Sequence, residues 1–444
     1  MSPKNIFLSL FIFPFLLPCV FGHVGLGRKL ILATKEIATE NTGETYVVVF
    51  DAGSTGTRVH VFRFDENIDL LQIDGQLEIY AKVTPGLSSY ADNPQQAANS
   101  IVPLLKKAVK AVPKNFRSHT PVELGVRRLF NSSSLLYEKE WVNVITGTQE
   151  GTYMWVTMNY FLGNLGNQYS KTVGVIDLGG ASVQMAYGVS AQAAKNAPNT
   201  GEQYITKHHF KGNNYYLYVH SYLRYGKDAA RAEIMKYTND SVNYCLISGY
   251  NGIYKYNGAV YHARSSSSGS NYKKCKQNVL EALNVNAKCE VKNCTFNGVW
   301  NGGGGAGQDK LYLASAFYYL ASDCNLIDNN AESGEITPAD IKRAAITACS
   351  LSSMEEARKK YPKAWTSNLP YLCMDLVYQY TLLKKGFGLN RDKEVTVISK
   401  VKYGDFYAKA EWPLGSAIET VSARPSTKPE AKSVYNFWSH AYAQ

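Results

Sequence analysis

The chain has 444 residues, of which 45% are hydrophobic and 19% are charged, and its formal net charge is +11. This length accommodates two domains of ordinary size, and the composition is that of a folded globular protein, not a disordered one. The basic residues are scattered and form no long runs or aromatic-interleaved stripes, so we expect no nucleic-acid partner.

The first 22 residues are predicted to be a signal peptide. Lys4 precedes an apolar stretch over residues 6–21, which contains two prolines and ends at the small residue Gly22. An uncleaved membrane anchor is the competing interpretation, because the stretch is near the lower length limit for spanning a bilayer. Cleavage would give a secreted protein without stable membrane insertion. Three sequons would then become glycosylation sites, at Asn131, Asn239 and Asn293.

All seven cysteines that follow the signal peptide lie in the second half of the chain. No Cys-x-x-Cys or Cys/His grouping indicates zinc, so disulfide bonds are expected in an oxidising compartment. Because seven is odd, one thiol is expected to be free or paired elsewhere.

A glycine-rich loop follows the first predicted strand, residues 45–50. Residues 51–58 read Asp-Ala-Gly-Ser-Thr-Gly-Thr-Arg and lead into a second strand over 59–64. The glycines let backbone N–H groups close on an anion, and the hydroxyls and Arg58 add donors. Asp51, at the end of the strand, is placed to hold a hydrated divalent metal. The alternative is an ordinary hairpin turn.

An acidic residue lies between two predicted elements in the middle of the chain. Helical spacing of apolar residues predicts a helix from Pro94 to Val112, and a strand is predicted over 121–126. A further helix is predicted from Thr152 to Leu162, which leaves Glu150 in the turn before it, exposed at the edge of the sheet. Such a carboxylate suits a general base that activates water. The alternative is an acid favoured at a helix N-terminus by the helix dipole.

The first loop pattern recurs about one domain length later. A strand over 171–176 leads into Asp177-Leu-Gly-Gly-Ala-Ser182, and another strand follows over 183–187. Two Asp-led loops on matching strands, with a Glu between them, are hard to explain as accidental turns. We therefore predict two related domains whose loops face each other across a cleft and grip successive phosphates, with a metal between Asp51 and Asp177.

Together these segments resemble the motifs of the apyrase family, the nucleoside triphosphate diphosphohydrolases, and particularly the soluble apyrases of plants. The matching segments are 51–64, 146–163, 173–187 and 300–308, and the resemblance covers nearly all of the chain after the signal peptide. It implies an α/β fold with two RNase-H-like domains of the actin, heat-shock chaperone and sugar-kinase superfamily, and an active-site cleft between them. Domain I would comprise residues 45–163 plus 413–444, and domain II residues 164–412.

The resemblance also implies which residues bind the metal and the phosphates. Asp51 and Asp177 would hold Ca²⁺ or Mg²⁺, mostly through its waters, and Trp412 would lie near this metal shell. Each loop would hold one part of the polyphosphate. The residues concerned are Ser54, Thr55, Gly56, Arg58, Gly179, Gly180 and Ala181.

The implied reaction is in-line attack of water on the terminal phosphorus of nucleoside tri- and diphosphates, from ATP to ADP to AMP. Glu150 would be the base, and Ser182 and Gln184 would help to place the water. Positioning and charge neutralisation supply most of the catalysis in such reactions. Tyr378 would stack on the nucleobase, while Ser416 stands where animal relatives have a second aromatic, which predicts loose base selectivity.

The family pattern further implies the covalent and quaternary state. The disulfides would be Cys245–Cys275, Cys289–Cys294 and Cys349–Cys373, with Cys324 left over. The protein is expected to be a monomer.

One departure from the family pattern follows the strand predicted at 121–126. Family members carry there a second motif, Gly-Ala-Thr-Ala-Gly-Leu-Arg, whereas here Gly125 runs directly into Val126-Arg-Arg-Leu-Phe130. Loss of this loop removes phosphate contacts and apolar burial. Arg127 is either a partial substitute cation or, as exposed basic residues usually are, simply solvated.

Two hypotheses follow from these motifs. The main one is a secreted, divalent-cation-dependent apyrase whose activity the missing motif would weaken. The alternative is a catalytically weak or inactive homologue that binds nucleotides or, like the lectin-like legume apyrases, a glycan.

Overall fold

The structure of the protein is a computed structural model that describes residues 43–53, 56–90, 93–123, 145–237 and 243–422. Several features named above lie outside these residues: the signal peptide, Ser54, Thr55, Gly125, Arg127, Asn131 and Asn239. In the described part of the chain, no helix combines the length and the apolar character needed to cross a membrane.

The strands of the described residues form two large sheets and two small ribbons. In chain order they are β1 (Thr45–Ala52), β2 (Thr57–Phe64), β3 (Leu70–Leu71), β4 (Ile79–Val83), β5 (Val122–Glu123), β6 (Gly174–Leu178), β7 (Ser182–Val189), β8 (Ile205–Phe210), β9 (Asn213–Leu223), β10 (Asn251–Tyr256), β11 (Ala259–Arg264), β12 (Leu311–Ser315), β13 (Ser333–Ile336), β14 (Val395–Ile398), β15 (Lys400–Tyr403) and β16 (Phe406–Lys409).

The α-helices of the described residues pack on these sheets or on one another. In chain order they are α1 (Pro94–Ala111), α2 (Lys114–Arg117), α3 (Gly147–Phe161), α4 (Ala191–Lys195), α5 (Lys227–Lys236), α6 (Tyr272–Ala282), α7 (Ala316–Asp323), α8 (Pro338–Ala348), α9 (Met354–Lys360), α10 (Leu372–Thr381) and α11 (Trp412–Ser422).

The two large sheets share one strand arrangement. In the first, β1 pairs antiparallel with β2, β2 pairs antiparallel with β4, and β1 pairs parallel with β5. In the second, β6 pairs antiparallel with β7, β7 pairs antiparallel with β9, and β6 pairs parallel with β12. Strands β1 and β6 therefore occupy equivalent central places, and the Asp-led loops follow from equivalent strand ends. This repetition is the pair of related units that the two loop motifs indicated.

The alternation of side chains along a strand divides the first sheet into two faces. Val48 and Val59 lie on the face that packs against α1, in one buried cluster. Val47 and Phe62 lie on the opposite face, in a second cluster that includes residues of α3, α11 and the second sheet. This second face is therefore the one directed toward the second sheet.

Helix α3 lies in the buried cluster that joins the two large sheets. Every residue from Gly151 to Phe161 is buried, as expected for a helix that is enclosed on all sides. It begins at Gly147 and not at Thr152, because Thr146 and Gln149 form a capping box in which each side chain bonds the other's backbone N–H. The prediction that Glu150 lies in the preceding turn, exposed at the sheet edge, is therefore wrong. Glu150 belongs to the first turn of the helix.

The cysteine pairing implied by the family resemblance is confirmed. Bonds join Cys245 to Cys275, Cys289 to Cys294, and Cys349 to Cys373. Cys324 is free and buried.

Candidate active site

The side-chain amide of Gln184 brings three polar side chains together. Its Nε2 donates to Glu150 Oε2 at 2.9 Å, to Ser182 Oγ at 2.7 Å and to Ser221 Oγ at 3.0 Å. An amide NH₂ has two hydrogens, so it serves at most two of these acceptors at a time. The structure thus places the three predicted catalytic residues, Glu150, Ser182 and Gln184, in one hydrogen-bonded group.

The Glu150 carboxyl is a weak acid in this environment. Burial raises its pKa, and the nearby carboxylates of Asp177 and Asp51 raise it further, to about 8. Desolvation and like charges both disfavour the ionised form. A base in this position would need a compensating positive charge to be ionised at neutral pH.

Asp177 offers an oxygen for a cation. Its Oδ1 is buried and, within the described residues, has no hydrogen-bond partner. Burial raises the Asp177 pKa to about 6 although a hydrogen bond from Ser315 lowers it, and Glu411 and Asp51 add to the increase. A buried carboxylate oxygen without a donor is costly unless a cation or proton meets it.

The carboxylates therefore fit a hydrated divalent metal better than a closed protein cage. Among the described residues, no three carboxylate, imidazole or thiol groups converge on one point. Mg²⁺ typically keeps several waters and takes one or two protein carboxylates, and Ca²⁺ also accepts water ligands. Asp51 and Asp177 are consistent with that kind of site, and an ion between them would offset the charge that raises the Glu150 pKa.

In the first loop, Arg58 is occupied by the loop itself. Its guanidinium Nη1 bonds Asp51 Oδ2 at 2.8 Å, and it lies so close to Gly53 that a Cβ there would approach it to 3.0 Å. Burial lowers the Arg58 pKa, but the charges of Asp51 and Glu411 outweigh that effect and raise it overall. Arg58 thus holds the Asp51 carboxylate and fills the space beside Gly53.

The second loop is held by its carbonyl groups and leaves amides free. The carbonyl of Gly179 accepts from Lys227 N, and that of Gly180 accepts from the N–H groups of Asp228 and Ala229, at the start of α5. The N–H groups of Gly180 and Ala181 have no acceptor among the described residues. Successive unpaired amides in a tight loop form an anion-binding concavity.

Two further residues of the predicted site take different places. Trp412 begins α11 and stacks on Tyr153 of α3, with ring centroids 6.3 Å apart, one turn from Glu150. Tyr378 is not brought to this site. The residue is 2% exposed, in the buried cluster that includes Ile176 of the second sheet, and its hydroxyl donates to the Tyr225 carbonyl. Stacking of Tyr378 on a nucleobase would require that core to open. Ser416 is also buried.

Three residues of this site belong to none of the predicted motifs. Ser221 is directly opposite Gln184 on β9. Ser315, at the end of β12, lowers the pKa of Asp177, and the charge of Glu411 raises the pKa of both Asp177 and Arg58. None belongs to a glycine-rich loop. Only the pairing of distant strands brings the two serines to the site.

Comparison with known proteins identifies the class of protein to which this fold belongs. The chain belongs to the GDA1/CD39 (nucleoside phosphatase) family, whose model matches residues 37–130 and 125–433. It is 46% identical to the nucleoside-triphosphatase of Pisum sativum, over 93% of this chain and 95% of that one. It is also 48% identical to apyrase 1 of Arabidopsis thaliana, over 86% of each chain. The predicted resemblance to plant apyrases is confirmed.

The fold is also shared with a solved structure. Nucleoside triphosphate hydrolase from Neospora caninum superposes with a TM-score of 0.55 at 15% sequence identity, covering 85% of this chain and 92% of that one. At this identity the similarity concerns the fold alone. It confirms the predicted α/β architecture of two RNase-H-like domains.

Proposed function

We propose that the protein is an apyrase that releases the terminal phosphate of nucleoside tri- and diphosphates. The observation that carries this proposal is the hydrogen-bonded group of Glu150, Ser182 and Gln184, which lies with the carboxylates of both Asp-led loops. The names of the similar plant proteins, nucleoside-triphosphatase and apyrase, support the same reaction.

The proposed mechanism uses Glu150 as the base. Gln184 orients its carboxylate, and the Ser182 hydroxyl, bonded to the same amide, offers a second contact for the attacking water. The free amides of Gly180 and Ala181 bind phosphate oxygens. A divalent cation held by Asp51 and Asp177 would neutralise phosphate charge. Ca²⁺ and Mg²⁺ both suit these oxygen ligands.

The activity test is phosphate release by the purified protein from ATP and ADP, with Ca²⁺ or Mg²⁺. We expect release from both nucleotides and none after Glu150→Gln, which keeps the shape of the side chain without the base. A folded protein that released no phosphate with either cation would disprove the proposal. AMP, the expected end product, should not be hydrolysed.

A second candidate is a homologue that binds nucleotides with little turnover. The family model matches in two segments that meet at residues 125–130, which supports the prediction that the second motif is missing there. Calorimetric binding of ATP without phosphate release would favour this candidate, and titration with chitin oligosaccharides tests the glycan-binding form of it. Insertion of Ala-Thr-Ala-Gly-Leu-Arg after Gly125 should then restore turnover.

We further propose that the protein is secreted after cleavage near Gly22. The three disulfides, which are typical of oxidising compartments, support this location. The N-terminal sequence of the protein recovered from the medium of expressing eukaryotic cells would test it. Asn293 is exposed and is available for glycosylation on that route.

A further inference from the structure

We propose that Lys82 binds the phosphate chain of the nucleotide at the first loop, and this inference rests on the proposed function. Lys82 is an exposed residue of β4, outside the glycine-rich motif. Its position follows from strand register.

Three charged residues stand side by side across three neighbouring strands. Asp51 on β1 is directly opposite Arg58 on β2, and Arg58 is directly opposite Lys82 on β4. Directly opposed residues of antiparallel strands point to the same face of the sheet. This face is directed toward the second sheet, because it also carries Val47 and Phe62.

The Lys82 side chain extends along the loop. A Cβ atom placed on Gly56 would lie 2.5 Å from Lys82 Cε, so the glycine leaves the space that the lysine stem occupies. The ammonium group is one bond further on. It is therefore held beside the backbone of the predicted phosphate loop.

Asp51, Arg58 and Lys82 together carry one excess positive charge, which favours binding of an anion. Arg58 is paired with Asp51, and Lys227 beside the second loop is paired with Asp228. Lys82 has no carboxylate partner within the described residues. Like charges directly opposite each other in a sheet destabilise it, so Arg58 and Lys82 are tolerated best when a phosphate lies between or above them.

This arrangement divides the work between two cations. Arg58 bonds Asp51 and lies against Gly53, whereas Lys82 is exposed and can meet a ligand. A flexible ammonium with three donors suits phosphate oxygens. Lys82 would supply a cation at the phosphates that does not depend on the missing second motif.

The test compares three variants of the full chain. Lys82→Met removes the charge but keeps an unbranched stem over Gly56, and Lys82→Arg keeps the charge. Lys106→Met is the matched control, because Lys106 is exposed on α1, on the opposite side of the same sheet. ATP affinity is measured by calorimetry, the KM and kcat for ATP by phosphate release, and stability by urea unfolding.

Loss of one charge-assisted hydrogen bond should weaken ATP binding and raise KM about ten- to hundredfold in Lys82→Met. Lys82→Arg should stay within about threefold of the wild type, and Lys106→Met should be unchanged. The urea midpoint of Lys82→Met should equal or exceed that of the wild type, because repulsion from Arg58 is removed. A purely structural lysine would lower it.

The result that overturns this inference is ATP affinity and KM unchanged in Lys82→Met. If that occurs while the wild type hydrolyses ATP, the proposed function stands and the role of Lys82 fails. If the wild type binds ATP through Lys82 but releases no phosphate, the role stands and the hydrolase proposal fails. No ATP binding by the folded wild type contradicts both.

Discussion

The side-chain amide of Gln184 bonds the carboxylate of Glu150, with 2.9 Å between Nε2 and Oε2, and so joins the second sheet to helix α3. Gln184 lies on β7 of the second sheet, and Glu150 lies in the first turn of α3. The orientation of the proposed base is therefore set by a strand that also carries Ser182, at the end of the second phosphate loop.

Gln184→Ala should lower kcat for ATP about a hundredfold and change KM by less than about threefold, because Glu150 loses the donor that orients it while the phosphate contacts remain. Ser221→Ala is the matched control. It removes one of three acceptors from an amide with two hydrogens, so kcat should fall less than about threefold. Similar losses in both variants would show that Gln184 has no special role. Phosphate-release kinetics measure both constants.

Local sequence predicted the parts of the site that are continuous in the chain. Asp51 and Asp177 occur at the ends of equivalent strands because β-branched runs followed by Asp and Gly specify a strand and a tight turn. The loop glycines could be identified for the same reason. The predicted position of Glu150 before the helix is wrong because the helix begins at the Thr146 cap, six residues before Thr152.

The remainder of the site depends on register between distant strands. Ser221 meets Gln184 through the pairing of β7 with β9, and Lys82 meets Arg58 through the pairing of β2 with β4. A shift of one residue would turn each of these side chains to the other face. No local motif specifies that register, so the sequence could not indicate these contacts.

Ionisation of Glu150 should destabilise the cation-free folded protein. Its pKa of about 8 in the fold exceeds the ordinary value of 4.5, so the folded state holds a proton that the unfolded state releases between these values. The free energy of unfolding therefore falls as pH rises through this window. Relative to the wild type, Glu150→Gln should gain roughly 3–4 kcal/mol between pH 5 and pH 8.

Urea unfolding in the presence of a chelator at pH 5, 6.5 and 8 measures this difference. Glu355→Gln, an exposed substitution in the first turn of α9, serves as the control and should show the same pH dependence as the wild type. A constant difference between Glu150→Gln and the wild type at all three pH values would contradict the prediction.

Binding of a divalent cation should release protons at neutral pH. A cation beside Asp51 and Asp177 favours the ionised carboxylates and should lower the pKa of Glu150 from about 8 and that of Asp177 from about 6. At pH 7 we expect about one proton released for each Mg²⁺ or Ca²⁺ bound, most of it from Glu150. Calorimetry in two buffers that differ in ionisation enthalpy measures this number.

Two controls make the proton count specific. At pH 9.5 Glu150 is already ionised, so release should fall close to zero. Asp177→Asn should weaken cation binding itself. Cation binding with no proton release at pH 7 would show that the ion does not bind near Glu150.

A buried ion pair stabilises the helix whose N-terminus bonds the second phosphate loop. Arg231 of α5 and Asp375 of α10 bond each other, and their side chains are only 5% and 4% exposed. The N-terminus of α5 in turn bonds the carbonyl groups of Gly179 and Gly180. Asp375→Asn should lower the free energy of unfolding by about 3–5 kcal/mol, because the buried Arg231 loses the carboxylate that accepts two of its hydrogen bonds. Within the described residues, Arg231 then keeps only one carboxylate contact, at 4.0 Å from Asp228. The affinity for ATP should fall as well, because α5 positions the loop.

Lys288→Gln is the matched control, because its ion pair with Glu290 joins side chains that are 84% and 75% exposed. It should cost no more than about 1 kcal/mol. The double variant Arg231→Met/Asp375→Leu should be more stable than Asp375→Asn, since removing both charges leaves none buried alone. Equal urea midpoints for the wild type and Asp375→Asn would show that this ion pair does not support the loop. If Asp375→Asn is destabilised but binds ATP normally, the ion pair stabilises the core without positioning the phosphate loop.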